Sequence, residues 1–330
     1  MTVSAPAVVS PGRIVDIATG FMGAKQLFAA SRIGLFRALA DGPRTALELA
    51  GDTGRSEREV RILADAMLAL GLLSRDDLGY RLAADAAAYL SGREELDLAP
   101  FLAFLNDISY PQWLGYDSTV DTDRPGTLEL DDAGWGDFLA GVMTYNDLHA
   151  EQLAHQFDFD GFRSAVDIAG ISPAFAVRAM EQNPDLRVEF VVDADGVAGV
   201  EAAIARAGVG ARATVTGADP VTGRLSTGHD LVMVNHVLHR YGADDNRAIL
   251  AQARAAAAPG AVLTVLDFFL DDDGEQRKLD ALHAGEYYNI DGTVVYPIGL
   301  VRGWLAEAGW RVTGCLDLPG SPRVILAEAV

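Results

Sequence analysis

Two aspartates follow short apolar runs at positions where a carboxylate could bind a sugar. Asp167 ends the first run, and Asp193 ends the second run 26 residues later. A carboxylate at the end of the second strand of a nucleotide-binding sheet can accept hydrogen bonds from both hydroxyls of a ribose. Acidic residues also cap strand ends without binding a ligand, so the pair by itself leaves both interpretations open.

His236 and His239 form a second candidate site for chemistry. An imidazole with an ordinary pKa of roughly 6.5 can exchange protons at cellular pH. The alternative is that His239 is satisfied structurally at the start of a helix. Two histidines three residues apart could also share a metal ion, but the sequence shows no third ligand, so we predict no metal site.

The elements that would position these residues alternate between strands and helices from Ser164 onward. Short apolar strands separated by helices predict a parallel sheet covered on both faces, and such sheets bind ligands at the carboxyl ends of their strands. The predicted strands are 165–168, 188–192, 213–216, 231–234 and 261–269, and the predicted helices are 174–182, 197–207 and 244–257.

The N-terminal third is mainly helical. Residues 13–39 have apolar side chains at helical spacing, with interruptions near Gly20 and Gly34. Ser56 and Glu59 form a capping box, which predicts a helix that begins there and runs to about residue 70.

Residues 72–82 follow as a predicted hairpin, and together these elements predict a helix-turn-helix with a wing. DNA binding is one interpretation of that pattern. The presumed recognition helix carries three acidic residues against two basic ones, however, so we favour a winged helix used for dimer packing.

The segment between the two regions is less specific. Residues 96–114 are rich in large side chains, which could line a ligand pocket or pack as a linker helix against a partner subunit. A turn at 122–126 and a helix at 135–157 are predicted after it.

Composition excludes several classes of protein. The formal net charge of −21 disfavours nucleic acids and anionic membranes as partners. Cys315 is the only cysteine, which excludes an intrachain disulfide and multi-cysteine zinc sites. Residues 1–11 lack the basic and apolar regions of a secretory signal, and no apolar run reaches the length of a transmembrane helix. These features predict a cytoplasmic protein.

The whole chain resembles the small-molecule O-methyltransferases of the plant caffeic-acid and bacterial polyketide-tailoring types. The matching segments are ATGFMGAKQLFAA at 18–30, VDIAGISPAF at 166–175, VVDADGV at 191–197, VNHVLHRYGADD at 234–245 and RGWLAEAGW at 302–310. The resemblance implies an α/β fold in which a Rossmann-like class I SAM-dependent methyltransferase domain follows a mainly helical winged-helix dimerisation domain. It divides the chain into residues 1–95 for dimerisation, 96–160 as a helical linker contributing to the substrate pocket, and 161–330 for catalysis, and it implies a homodimer formed through the N-terminal domain.

The same resemblance assigns roles to individual residues. It makes His239 the general base, with His236 as the neighbouring candidate and Asp267 as a supporting acid. The residues that would bind the cofactor, if one is retained, are Asp167, Gly170, Asp193 and Asp219. The resemblance places Glu286, Tyr287 and Asn289 among the contacts of a small-molecule substrate. We predict that they form an aromatic, partly polar pocket with Phe104, Tyr110, Trp113 and Asn146; the alternative is that Tyr287 is an ordinary core residue.

Several positions depart from the family pattern. The family's Asp-x-Gly-x-Gly-x-Gly reads Asp-Ile-Ala-Gly-Ile-Ser-Pro here, with Ala169, Ile171 and Pro173 in place of the glycines. Such glycines permit a tight turn and a close approach of the backbone to the ligand. Ala218 stands where the family has Asp, and Arg240 and Tyr241 stand where it commonly has Asp and Trp.

From these losses we predict an enzyme of secondary metabolism that does not transfer methyl and binds no cofactor. It would use acid–base chemistry on an aromatic or polyketide-like substrate, for example in a cyclisation or isomerisation. The alternative is a genuine SAM-dependent O-methyltransferase with an atypical loop. A second alternative is a non-catalytic protein that senses a ligand or regulates through its winged helix.

Overall fold

The computed structural model describes residues 9–330, which form two compact units. One unit contains the chain up to Tyr110 together with Asp132–Thr144, and the other contains Pro111–Asp131 and Tyr145–Val330. Most of the N-terminal segment 1–11, for which no secretory signal was predicted, therefore lies outside the described residues. Within residues 9–330, no helix is both long enough and apolar enough to cross a membrane.

The first unit is mainly helical, as predicted, and carries a small hairpin. Its elements are α1 (Gly12–Arg32), α2 (Leu35–Ala38), α3 (Ala46–Thr53), α4 (Glu57–Ala69), β1 (Leu73–Asp76), β2 (Gly79–Leu82), α5 (Ala84–Leu90) and α6 (Ala99–Phe104). The capping box at the start of α4 is confirmed, since Ser56 Oγ accepts a hydrogen bond from the Glu59 amide at 3.2 Å and the glutamate side chain accepts one from the Ser56 amide. The hairpin is confirmed as well.

The prediction of a break near Gly20 is wrong, because α1 runs through that glycine without interruption. A single glycine inside a helix costs only about 1 kcal/mol relative to alanine, which the packing of a long helix can offset. The break near Gly34 is real, because this glycine has φ of 78° and separates α1 from α2.

Short helices and one long helix follow between residues 105 and 156. They are a π-helical turn (Leu105–Ser109), α7 (Tyr110–Trp113), α8 (Tyr116–Thr122) and α9 (Asp132–Gln156). The predicted helix at 135–157 is thus confirmed with an earlier start.

The second unit is built on a seven-stranded sheet in the order β5-β4-β3-β6-β7-β9-β8. Its strands are β3 (Ser164–Ile168), β4 (Arg187–Val192), β5 (Ala213–Gly217), β6 (His229–Asn235), β7 (Ala257–Asp267), β8 (Trp310–Asp317) and β9 (Arg323–Ala329). Its helices are α10 (Ala174–Gln182), α11 (Val197–Arg206), α12 (Ala243–Ala256), α13 (Lys278–Ile290) and α14 (Ile298–Glu307). The five predicted strands are parallel to one another, which confirms the predicted α/β architecture.

The two antiparallel strands at one edge, β8 and β9, were not predicted. The β8 side chains alternate between more and less exposed positions, because one face of this edge strand packs on the unit and the other faces solvent. That period of two is the signal that could have revealed it.

The strand order brings the chemically important chain ends together. The connection reverses direction at β3, which lies between β4 and β6, and β7 lies beside β6. Ligands of such sheets bind at the carboxyl ends of the strands, next to the point of reversal. Asp167 and Asp267 lie at the carboxyl ends of β3 and β7, Asp193 directly follows β4, and His239 lies in the segment after β6.

Candidate active site

The loop after β3 keeps a tight turn although the three glycines of the family pattern are replaced. Ala169 has φ of 61°, a left-handed conformation that costs an L residue roughly 1–2 kcal/mol. Its amide donates a hydrogen bond of 2.8 Å to the Val191 carbonyl in β4. The alanine therefore adopts a backbone conformation that glycine would adopt without strain.

Backbone strain is concentrated at this edge of the sheet. Within residues 9–330, three non-glycine residues have positive φ, namely Asp123, Ala169 and His236. Two of them directly follow the ends of the neighbouring strands β3 and β6. Strained backbone persists where the surrounding structure enforces it, which is typical of functional sites.

The two other replaced glycine positions are accommodated differently. The Ile171 side chain is 41% exposed, so it does not fill the interior of the loop. Pro173 stands directly before α10 with φ of −77° and its carbonyl accepts the hydrogen bond of Val177, so the helix begins normally. The loop thus has the shape of a ligand cradle at the N-terminus of a helix.

Asp193 directly follows β4, and Asp219 lies two residues after β5. Burial raises the pKa of the Tyr241 phenol; the charge of Arg240 opposes this rise, and the charges of both aspartates add to it. Asp219 Oδ1 accepts hydrogen bonds from the amides of Val221 and Thr222 at 2.7 and 3.3 Å, so this carboxylate shapes its own turn. Asp193 is exposed and can accept from a ribose.

Asp167 is a buried carboxyl group below the cradle. Burial raises its pKa to about 7, and Oδ1 finds no hydrogen-bond partner among the described residues. A methyl group added at Gly170 would lie 3.4 Å from this oxygen, so the atom is placed directly under the loop. An orphaned buried carboxylate oxygen at this point fits a ligand that carries a positive charge.

We expect Asp167→Asn to stabilise the protein without ligand by about 2–4 kcal/mol at pH 8 and by little at pH 4. The folded-state pKa of about 7 exceeds the ordinary value of 3.8, so the folded chain retains a proton that the unfolded chain loses between these values. The wild-type protein therefore loses stability as pH rises from about 4 to 7. Thermal unfolding of both proteins across this range measures the difference. The exposed Asp185, changed to Asn, is the control, and a difference that stays constant with pH would contradict the assignment.

His239 and Asp267 form a hydrogen-bonded pair at the ends of β6 and β7. His239 Nδ1 lies 3.0 Å from both carboxylate oxygens, and its backbone amide donates to Oδ2 at 3.2 Å. The Phe268 amide donates to Oδ1 at 2.9 Å. Burial alone would raise the pKa of Asp267, but the charge and hydrogen bonds of His239 outweigh it and the pKa is lowered. An ionised carboxylate holds the proton on Nδ1 and leaves Nε2 as a base.

His236 is paired with a residue that sequence reasoning missed. His149, in α9, lies with Nδ1 2.8 Å from His236 Nε2, and the two rings are stacked. Burial lowers the pKa of His236 to about 3 and that of His149 well below its ordinary value, so both stay neutral. No local pattern marked His149, because 87 residues separate the partners.

Aromatic rings surround the His239 pair. The Tyr287 ring centroid lies 4.6 Å from that of His239, and Phe268 stacks on His283 at 3.8 Å. Burial lowers the pKa of His283 and raises that of Tyr287. The rings around the base are therefore uncharged and flat, an environment suited to an aromatic ligand.

Spacing alone would allow a metal ion at this position. Ligand atoms of His236, His239 and Asp267 all lie within 4.8 Å of one another. Each of the three residues already makes the side-chain hydrogen bonds described above. The predicted absence of a metal site stays a prediction.

The seven predicted substrate contacts fall in both units. Phe104 and Tyr110 belong to the first unit, where Phe104 packs edge-on against Phe138 and the Lys25 ammonium lies 4.5 Å from the Tyr110 ring centroid. These two residues have packing partners, and their contact with substrate stays a prediction.

The remaining five belong to the second unit, as do the histidines. Trp113 Nε1 donates to Glu286, and Asn289 Oδ1 accepts from Thr119 at 3.2 Å. Tyr287 contacts His239 as described above, and Asn146 is buried. Of the predicted contacts, Tyr287 is thus the one whose ring the structure places against the predicted base.

Comparison with known proteins decides the family. A model of the O-methyltransferase domain matches residues 124–292, and a model of the O-methyltransferase dimerisation domain matches residues 15–92. The chain belongs to the O-methyltransferase family. The predicted fold class is thereby confirmed, with a helical dimerisation domain before a Rossmann-like methyltransferase domain, and so is the prediction of a methyltransferase-fold enzyme.

Individual relatives agree with this membership. The 3-hydroxy-5-methyl-1-naphthoate 3-O-methyltransferase of Streptomyces sahachiroi is 33% identical over 278 residues, covering 81% of this chain and 80% of the relative. The structure of the S-adenosylmethionine-dependent methyltransferase SibL matches with a TM-score of 0.81 and 26% identity over 97% of this chain and 99% of that one. Human N-acetylserotonin methyltransferase in complex with SAM shares the fold, with a TM-score of 0.80 and 20% identity over 99% of each chain.

Two predictions from the sequence are wrong in this light. We predicted no methyl transfer and no cofactor, whereas the family model and the relative from Streptomyces sahachiroi are described as O-methyltransferases. SibL is described as S-adenosylmethionine-dependent, and a structure of the same fold contains SAM. The physical reason is that the lost glycines do not abolish the loop. Ala169 adopts the left-handed conformation itself, and the Ile171 side chain is partly exposed and does not fill the interior of the loop.

Proposed function

We propose that this O-methyltransferase transfers the methyl group of SAM to a hydroxyl on an aromatic small molecule of secondary metabolism. The observation that carries the proposal is the pair of His239 and Asp267 beside Tyr287, at the same sheet edge as the Ala169 cradle. The relative from Streptomyces sahachiroi, which is named for a hydroxynaphthoate, supports an aromatic acceptor.

His239 acts as the general base in this proposal. Its Nε2 takes the proton of the acceptor hydroxyl, because Nδ1 donates to the ionised Asp267. The buried carboxylate then stabilises the imidazolium that forms. SAM, when bound, supplies the electrophilic methyl group. The neutral rings around His239 orient a flat acceptor and keep water away.

Asp167, Gly170 and Asp193 are the residues we assign to the cofactor. Asp193 would accept hydrogen bonds from the ribose hydroxyls, and Asp167 would face a positively charged part of the ligand. Gly170, which has no side chain, would let the ligand approach the loop. Asp219 is assigned a supporting role through the turn that its side chain forms.

The assembly is proposed to be a homodimer formed through the dimerisation domain. Support comes from the exposed apolar side chains of α1, since Ile14 and Ile17 are 72% and 75% exposed. The boundaries at residues 95 and 160 remain part of the proposal, as do the cytoplasmic location and the linker's contribution to the pocket.

Calorimetry with SAM and S-adenosylhomocysteine tests the proposal. We expect wild-type protein to bind S-adenosylhomocysteine and Asp193→Asn to weaken binding at least tenfold, because hydrogen bonds to a charged acceptor are lost. Asp195 is exposed two residues later, so Asp195→Asn is a control that should change Kd less than twofold. Mass spectrometry of hydroxynaphthoates incubated with SAM should reveal a gain of one methyl group. A folded wild-type protein that binds neither ligand would refute the proposal.

A further inference from the structure

One side chain connects the cradle to the segment that carries the base. Arg240 Nη1 donates a hydrogen bond of 2.8 Å to the Ala169 carbonyl, and the contact is partly buried. Arg240 ends the 3₁₀ helix Leu238–Arg240, directly after His239. A single hydrogen bond thus joins the two halves of the proposed site across 71 residues of sequence.

The bonded residue is the strained one. Ala169 has φ of 61°, which L residues rarely adopt, and its amide already donates to Val191 in β4. The strand therefore fixes the amide of this residue, and Arg240 fixes its carbonyl. A guanidinium is a charged donor, and charged donors form stronger hydrogen bonds than neutral ones do.

Both residues depart from the family pattern described above, and the structure places the two departures in contact. Alanine replaces a glycine that would adopt positive φ freely, and arginine replaces an aspartate, whose ionised side chain has no proton to donate to a carbonyl. The alanine requires a contact from outside the loop to keep the turn in its strained conformation, and the arginine supplies a hydrogen-bond donor for that contact.

We propose that Arg240 is a positioning residue that holds the Ala169 turn in its ligand-binding conformation. Its hydrogen bond thereby compensates for the conformational freedom that the missing glycine would have provided. This inference rests on the proposed function, since it assigns the turn to SAM.

A double-mutant cycle with binding as its readout tests the inference. The variants are Arg240→Gln, Ala169→Gly and their combination, and the probes are S-adenosylhomocysteine and 5′-methylthioadenosine, which lacks the amino-acid carboxylate. We expect Arg240→Gln to weaken both probes about tenfold or more, because the turn is no longer held. In the Ala169→Gly background, Arg240→Gln should raise the Kd of both probes less than about threefold, because glycine adopts the turn unaided.

Two further variants complete the experiment. Arg247→Gln is the matched control, since Arg247 contacts Asp244 and Glu307 at the surface, and it should leave Kd within twofold. Arg240→Lys keeps a charged donor and should give a Kd between those of wild type and Arg240→Gln. Thermal unfolding verifies that each variant is folded before its binding is compared.

Each remaining outcome counts against the inference. An unchanged Kd in Arg240→Gln overturns it, and so does an equal loss in the alanine and glycine backgrounds. Weaker binding of S-adenosylhomocysteine alone would mean that Arg240 contacts the ligand carboxylate directly and does not act through the turn. In these cases the wild type still binds and the proposed function stands, whereas a wild type that binds neither probe overturns both.

Discussion

His239→Ala should lower kcat for methyl transfer by about 10²–10⁴-fold while the Kd for S-adenosylhomocysteine stays within about twofold. The variant loses the base that removes the acceptor proton, but it leaves the cradle and Asp193 unchanged. Rapid-quench measurement of methyl transfer, with calorimetry of the same samples, separates the two quantities.

The control for this experiment is His155→Ala. His155 belongs to α9 and is exposed, so its loss should change neither quantity measurably. A His239→Ala enzyme that retained wild-type kcat would remove this histidine from the mechanism and shift attention to His236.

Asp267→Asn should lower kcat by about 10²–10³-fold and also destabilise the fold. Both carboxylate oxygens accept hydrogen bonds from His239 or from the Phe268 amide, so an amide NH₂ placed at either oxygen would meet a donor. The imidazole would lose its fixed tautomer, and the imidazolium would lose its counter-charge.

Two measurements distinguish this positioning role from general damage. The effect should appear in kcat, with the Kd for S-adenosylhomocysteine nearly unchanged, and Asp267→Glu should recover part of the rate because it restores an acceptor with a negative charge. Equal loss of rate in both variants, accompanied by loss of ligand binding, would indicate a structural role alone.

Local rules were sufficient for much of the fold. The alternation of apolar strands and helices after Ser164 predicted the parallel part of the sheet, because the burial of apolar faces determines it. The capping box at Ser56 located the start of α4, because hydrogen bonds between near neighbours determine where a helix begins. The same alternation placed Asp167 and Asp193 at strand ends. The edge strand β8 was missed because its half-buried alternation is a weaker signal than a continuous apolar run. The neighbouring strand β9 is mostly buried and was missed as well.

The site depends on contacts that no local pattern contains. His149 meets His236 across 87 residues, and Arg240 meets Ala169 across 71. The packing of α9 beside the end of β6 creates the first pair, and the adjacency of β3 and β6 creates the second. Residue types along the chain reveal neither contact. The sequence could therefore name His239 as a base through family resemblance, but it could not identify the neutral histidine pair beside it.

The residue types of the cradle led to the wrong cofactor prediction for the same reason. From the sequence, the loss of three glycines indicated a loop that could no longer turn, because an isolated alanine disfavours positive φ. The tertiary structure determined otherwise, since Val191 and Arg240 bind the two polar groups of Ala169 and keep it in the left-handed conformation. Two such hydrogen bonds can outweigh an intrinsic conformational preference of about 1–2 kcal/mol.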